Sequence, residues 1–190
     1  MNNKPDDKRF TFSPVTRSQE NLIQRWLKQD YIKEWIHGEG LNNTLSGLSK
    51  FIEHYERTGR IDRELDLTQH WLGYDGGTPF IYLLTSNVFD HEQSIYAKHK
   101  KPGQQAITLD LFIGEPEYMG KRYATQIITE FLTSHFTDVQ EVFIDPEQRN
   151  ERAIHVYQKT GFEKIDEFIA PWHPVPHALM KLNMKQLLKR

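Results

Sequence analysis

Cysteine is absent from this chain. That gap removes disulfides, thiolate nucleophiles and cysteine-ligated metals as explanations of anything the protein does. Charge of one sign is also missing: 24 Lys and Arg stand against 26 Asp and Glu, a formal net charge of −2 at pH 7. With no overall basic field, a nucleic-acid binder or a protein drawn to anionic membranes is disfavoured. No apolar run approaches the roughly 18 residues of a spanning helix. The opening MNNKPDDKRF lacks the apolar centre of a signal segment. A soluble, cytoplasmic protein is therefore expected. Nor do the nine histidines offer a metal-binding pattern: Pro174 and Pro176 lie between His173 and His177 and rule out a helical pair of ligands. No metal is implied.

A chain of 190 residues is long enough for one sizeable core. The reading is a single domain over 1–190, with a loose polar lead-in over 1–8. A first strand is expected from Arg9 to Val15, then a helix from about Glu20 with Leu22, Ile23, Trp26 and Leu27 on one face. A short helical stretch should end at Gly38 and Gly40. Another helix, capped by Thr44, should carry Leu45, Leu48, Ile52 and Tyr55 and stop at Gly59. Arg60 to Gly77 reads as an irregular loop. PFIYLLT, SIYAKH and QAITLDLFIG then read as strands of an antiparallel meander. After them come a helix with Ala124, Ile127, Ile128, Phe131 and Leu132 inward, the strand QEVFIDP, the helix NERAIHVYQKT and the strands FEKIDEFIA and HALMKLNM. The proline-rich APWHPVP should interrupt pairing between the last two. The order implies an α/β fold whose mixed sheet is covered by helices on both faces.

Three stretches carry chemistry. In EYMGKRYA, from Glu117 to Ala124, a strand-to-helix junction exposes successive backbone N–H groups, a natural cradle for phosphate oxygens. In the run from Asn150 to Phe162, Asn150 suits a helix N-cap, Gly161 suits the left-handed residue after the helix, and Ala153, Ile154 and Tyr157 share a face. In ITLDLFI, alternation sets Leu109, Leu111 and Ile113 on one face and Thr108, Asp110 and Phe112 on the other. A carboxylate in an otherwise core-like strand needs either a cation or a ligand cavity.

The run N-x-x-A-x-x-x-Y-x-x-x-G-F, downstream of that loop, resembles the C-terminal half of the GNAT-superfamily N-acetyltransferases. The early WLKQDYIKEW, TPFIYLL, the aspartate ten residues before the loop glycine, and DPEQRNERAI are similar, more narrowly, to aminoglycoside 6′-N-acetyltransferases. The resemblance implies a largely antiparallel sheet with a splayed parallel strand pair and acetyl-CoA in the gap as cosubstrate. It implies a pyrophosphate site over Met119, Gly120, Lys121, Arg122, Tyr123 and Ala124, with Leu111 and Ile113 along the cofactor and Asn150 on its pantetheine arm. Two departures from the family loop stand out: Met119 takes the polar first position and Arg122 replaces the second glycine.

By the same resemblance Tyr157 would donate to the departing CoA thiolate, a reasonable role for a phenol of pKa about 10 beside a thiol of pKa about 8.5. Asp110 would orient the substrate amine and accept its proton directly or through water, while Glu34, Trp35 and Asp145 would line the acceptor side. The expected acceptor is a small-molecule amine, an aminoglycoside or related polyamine. The alternatives are acetylation of a hydroxylysine-type siderophore precursor or a protein N-terminus, and a catalytically silent acyl-CoA-binding module. The family's acid near the C-terminal hairpin has no counterpart, since His173 and Pro174 occupy that loop.

Overall fold

The structure is a computed structural model that describes residues 8–91, 93–171 and 173–189. Most of the expected lead-in, and Trp172, lie outside the described residues.

One sheet of seven strands organises the chain, in the order β1-β2-β3-β4-β5-β7-β6. The strands are β1 (Phe10–Pro14), β2 (Gln69–Asp75), β3 (Thr78–Asn87), β4 (Ala106–Ile113), β5 (Glu141–Ile144), β6 (Glu163–Ala170) and β7 (His173–Asn183). The helices are α1 (Glu20–Trp26), α2 (Asp30–Lys33), α3 (Gly38–Thr58), α4 (Ile95–His99), α5 (Ala124–His135), α6 (Glu151–Thr160) and α7 (Met184–Leu187). Every neighbouring pair of strands is antiparallel except β4 and β5, which run parallel. Among the described residues, no helix is long and apolar enough to cross a membrane.

Alternation along the strands supplies two cores. Leu109 of β4 packs with Ile127, Ile128 and Phe131 of α5 and with Tyr157 of α6 on one face, where Leu111 and Ile113 join them. On the other face Tyr82 and Leu84 of β3 pack with Trp26 of α1 and with Leu48, Phe51 and Ile52 of α3, and Phe112 lies against them. The odd and even residues of β4 thus face different helices, as expected of a strand with period two.

The parallel pair comes apart early. β4 and β5 are joined at Ala106↔Glu141, Ile107↔Val142 and Thr108↔Phe143. Beyond Thr108, β4 continues to Ile113 with β3 as its only partner, while Ile144 of β5 pairs with Met180 of β7. A wedge therefore opens beside Leu109 to Ile113.

Several local expectations are corrected. SIYAKH is not a strand but contains helix α4, because the Ser94 side chain accepts the N–H of Ala97 and caps it. The loop expected over Arg60–Gly77 contains β2; Gln69 to Gly73 are all buried, so no alternation marked it. Gly38 and Gly40 do not end a helix. They open α3, and Thr44, instead of capping it, donates its hydroxyl to the carbonyl of Gly40 inside the first turns.

Pro174 and Pro176 lie inside β7, but the pairing with β6 is interrupted there as expected: Ile169 pairs with Pro176 and Ala170 with His173, so the register slips past Pro174 and Val175. Pro176 turns its carbonyl toward the N–H of Gln148, on the side away from β6, so its missing N–H costs no bond in the β6 ladder. By alternation Pro174 is oriented the same way.

Candidate active site

The phosphate-loop candidate lies where β4 ends and α5 begins. A 3-10 turn over Pro116–Tyr118 leads to Met119, whose N–H goes to Pro116. From Gly120 to Tyr123 no amide among these described residues donates to a backbone carbonyl. Gly120 has φ 74, and Arg122 follows with φ 63, the one non-glycine residue with positive φ among the described residues. Arg122, where the family pattern has its second glycine, thus holds a left-handed backbone of the kind glycine adopts without strain. Met119, Lys121 and Arg122 are exposed, and Tyr123 and Ala124 are half-buried at the helix start.

The run from Asn150 forms α6 as its pattern requires. Asn150 accepts the N–H of Ala153 at 3.1 Å as the N-cap. Gly161, at φ 111, follows the last turn, and the N–H groups of Gly161 and Phe162 both return to the carbonyl of Tyr157. These caps fix the helix so that Tyr157 is 8% exposed, facing the wedge core with Phe162 at a ring distance of 5.9 Å. No hydrogen bond joins Tyr157 to another described residue. Burial raises its pKa above the ordinary phenol value, and the charges of Asp110 and Asp145 add to the rise.

Asp110 sits on β4 opposite Leu84 of β3. Its surface is exposed, yet protein surrounds it closely enough that desolvation dominates its titration: it lies on the floor of an open cleft. Desolvation first, and then the charge of Asp145, raise its carboxyl to about 7, with His177 pulling the other way. The exposure tempers the size of the shift; the direction holds because both raising effects act together.

Asp145 follows β5 and is held from two sides. The Tyr96 hydroxyl of α4 donates to its Oδ1 at 2.8 Å. His177 Nδ1 of β7 lies 2.8 Å from the Asp145 carbonyl oxygen and 3.3 Å from Oδ2. The backbone is tied as well, with Ala178 N–H on Pro146 and Gln148 N–H on Pro176. His177 Nδ1 faces acceptors alone, so it carries the hydrogen, and Nε2 is left buried without a partner. Burial disfavours charging His177, but its hydrogen bonds to Asp145 outweigh this and raise its pKa. Tyr96 and His177 were not singled out in the sequence; Tyr96 was hidden by the strand reading of SIYAKH, and nothing local marks His177.

Glu34 and Trp35, at the end of α2, are both engaged by one arginine. Arg149 lies over the Trp35 ring at 4.6 Å, donates to the Glu34 carbonyl at 3.2 Å and approaches its carboxylate at 3.6 Å. The same arginine donates to Glu147 at 2.6 Å, and Glu147 also pairs with His173 at 2.8 Å. This strap ties the end of α2 to the β5–α6 loop and to the start of β7. His37, Glu147 and His173 each offer a metal-ligand atom within 4.8 Å of the others. Glu147 Oε2, however, is already held by the Arg149 guanidinium, a resident cation beside the group.

The α1–α2 segment is fastened to the loop after β4 at Gly114. Its carbonyl accepts from Gln29 at 2.9 Å and from Tyr31 at 2.8 Å, and Trp26 donates to Glu115 at 2.9 Å. A Cβ on Gly114 would fall 2.0 Å from the Trp26 ring, so only glycine permits this approach.

Comparison with known proteins agrees with this geometry. Residues 17–170 match a family described as an acetyltransferase (GNAT) domain. The chain is 43% identical to an aminoglycoside N(6′)-acetyltransferase from Legionella pneumophila subsp. pneumophila str. Philadelphia 1, whose crystal structure superposes with a TM-score of 0.81 over 97% of this chain and 98% of that one. It is 25% identical to aminoglycoside N(6′)-acetyltransferase type 1 of Klebsiella pneumoniae, over 95% of this chain and 85% of the relative. A crystal structure of an aminoglycoside acetyltransferase with coenzyme A and kanamycin, 20% identical, has the same fold, with a TM-score of 0.69 over 95% of this chain and 98% of that one.

Proposed function

The chain belongs to the GNAT acetyltransferase family and is an N-acetyltransferase, and we propose that it moves the acetyl group of acetyl-CoA directly onto a primary amine of an aminoglycoside-like acceptor. The observation that carries this reading is the wedge: β4 and β5 pair only as far as Thr108 and Phe143, and Asp110 and Tyr157 approach the opening from the two faces of the sheet. A thioester lying there would have the free amides from Gly120 to Tyr123 at its diphosphate end, with Leu111 and Ile113 along its side and Asn150 near its arm.

The steps follow from the groups present. Asp110 and Asp145 attract the acceptor as an ammonium. Loss of one proton, to Asp110 directly or through water, frees the nitrogen lone pair. The nitrogen attacks the thioester carbon, with the carbonyl oxygen polarised by a backbone N–H from the unpaired edge of β4. As the C–N bond forms the C–S bond breaks, the Tyr157 hydroxyl donates its hydrogen to the leaving sulfur, and the proton the nitrogen sheds in becoming an amide passes through water back to the phenolate. The Asp110 carboxyl, raised to about 7, is far better matched to proton transfer near neutral pH than an ordinary aspartate.

The test is CoA thiol release from acetyl-CoA across a panel of amines that includes kanamycin, spermidine and an amino-terminal peptide. Turnover of the aminoglycoside well above the others supports the acceptor class. Binding of CoA without turnover of any amine would instead indicate a silent acyl-CoA-binding module.

A further inference from the structure

Two carboxylates share the cleft, and they are held very differently. Asp110 has no hydrogen-bond partner among the described residues. Asp145 is clamped: Tyr96 donates to Oδ1, His177 Nδ1 lies near Oδ2 and the carbonyl of the same residue, and the side chain is 9% exposed. Donors on both sides fix the direction in which the Asp145 carboxylate points. Asp110, with no donor of its own, keeps its oxygens open toward the acceptor.

We propose that Tyr96 and His177 are positioning residues that hold the Asp145 carboxylate aimed at the cleft, making Asp145 the fixed anchor for the acceptor ammonium and leaving Asp110 to receive its proton. Deepening the proposed reaction, this inference rests on it for the roles of the two carboxylates, though the clamp itself is independent of turnover. The groups facing Asp110 come from every wall of the cleft: Asp145 after β5, His177 on β7, Tyr96 on α4 and Tyr157 on α6, with Glu147 felt by His177 from behind. Removing a donor from Asp145 frees its carboxylate to turn, so the acceptor ammonium is held less firmly while Asp110 and Tyr157 stay in place. The amine KM should therefore rise with little change in kcat, a split that loss of packing alone would not produce.

The experiment measures kcat and KM for an aminoglycoside at saturating acetyl-CoA, and binding of the same amine by calorimetry, in the full chain. Tyr96→Phe, which keeps the ring, should raise KM and Kd for the amine several-fold with kcat within about twofold, and should have no further effect in the Asp145→Asn background. Unchanged amine affinity in Tyr96→Phe, or additive effects in the double variant, would overturn the clamp. Should Tyr96→Phe not fold, His177→Asn, whose amide can replace Nδ1 as donor, should keep the affinity closer to wild type than His177→Leu; equal losses in the two would count against the proposal. If amine binding behaves as expected while no amine is turned over, the clamp stands and the proposed reaction falls.

Discussion

Asp110 and Tyr157 belong to opposite faces of one sheet, yet the charge of Asp110 reaches the Tyr157 phenol beside the point where β4 and β5 stop pairing. In the proposed reaction this relation would divide the labour between the two faces: the acceptor proton would leave on the side of α1 to α3, and the thiolate would be met on the side of α5 and α6.

Replacing Tyr157 by Phe should remove the hydrogen-bond donor to the leaving sulfur while leaving the ring in its packing against Phe162. We expect kcat to fall by about 10²-fold or more, the range for a lost general acid. CoA affinity, measured by calorimetry, should stay within about threefold, which is less than ~1 kcal/mol.

The Asp110 carboxyl must be ionised to accept a proton, and it is raised to about 7. Activity should thus increase as pH rises through about 7 and be lost below it. Asp110→Asn should lower kcat/KM by about 10²-fold and abolish that limb of the profile. A rate profile that keeps the limb in this variant would assign it to another group.

Arg122 holds a left-handed backbone at φ 63. A non-glycine residue there costs about 1–2 kcal/mol, offset by about 0.5–1 kcal/mol of extra unfolded-state freedom in glycine. Arg122→Gly should therefore raise unfolding stability in urea by about 0.5 kcal/mol, with CoA binding several-fold weaker through loss of a cation beside the phosphates.

Gly114→Ala forces a methyl into the Trp26 ring, 2.0 Å from the nearest atom. Overpacking of this kind should destabilise the protein by about 1–3 kcal/mol. The amine KM should rise as α1 and α2 are displaced, while Gly120→Ala, with nothing within 4 Å of the added carbon, should suffer from its φ alone.

His70 is buried against the Tyr82 hydroxyl at 2.5 Å, and burial lowers its pKa to about 3. Its folded pKa lies below the unfolded value of about 6.5, so its contribution to stability is complete above 6.5 and is lost as pH falls toward 3. Between these limits the loss approaches about 1.4 kcal/mol per pH unit. Urea unfolding at successive pH values should show a slope shallower by one proton in His70→Gln.

Much of this was legible in the sequence because it was local. The caps Asn150 and Gly161 framed α6, and period-two alternation put Asp110 and Phe112 on the face away from Leu109 and Leu111. β2 was not legible, because burial on both sides erased its alternation. SIYAKH has a strand's composition, and only the Ser94 cap decides for a helix. The hold on Asp145 could not be read at all, since Tyr96 and His177 reach it from 49 and 32 residues away. Arg149 was passed over for a similar reason: its partners Glu34 and Trp35 lie on a different helix end, and their capture by a cation shows only in three dimensions.

Gln29 and Tyr31 grip one and the same carbonyl, that of Gly114. Any outward displacement of α2 must first release both donors, and the oxygen they hold sits only a few residues ahead of the turn at Gly120. The two elements are therefore mechanically linked through a single peptide unit.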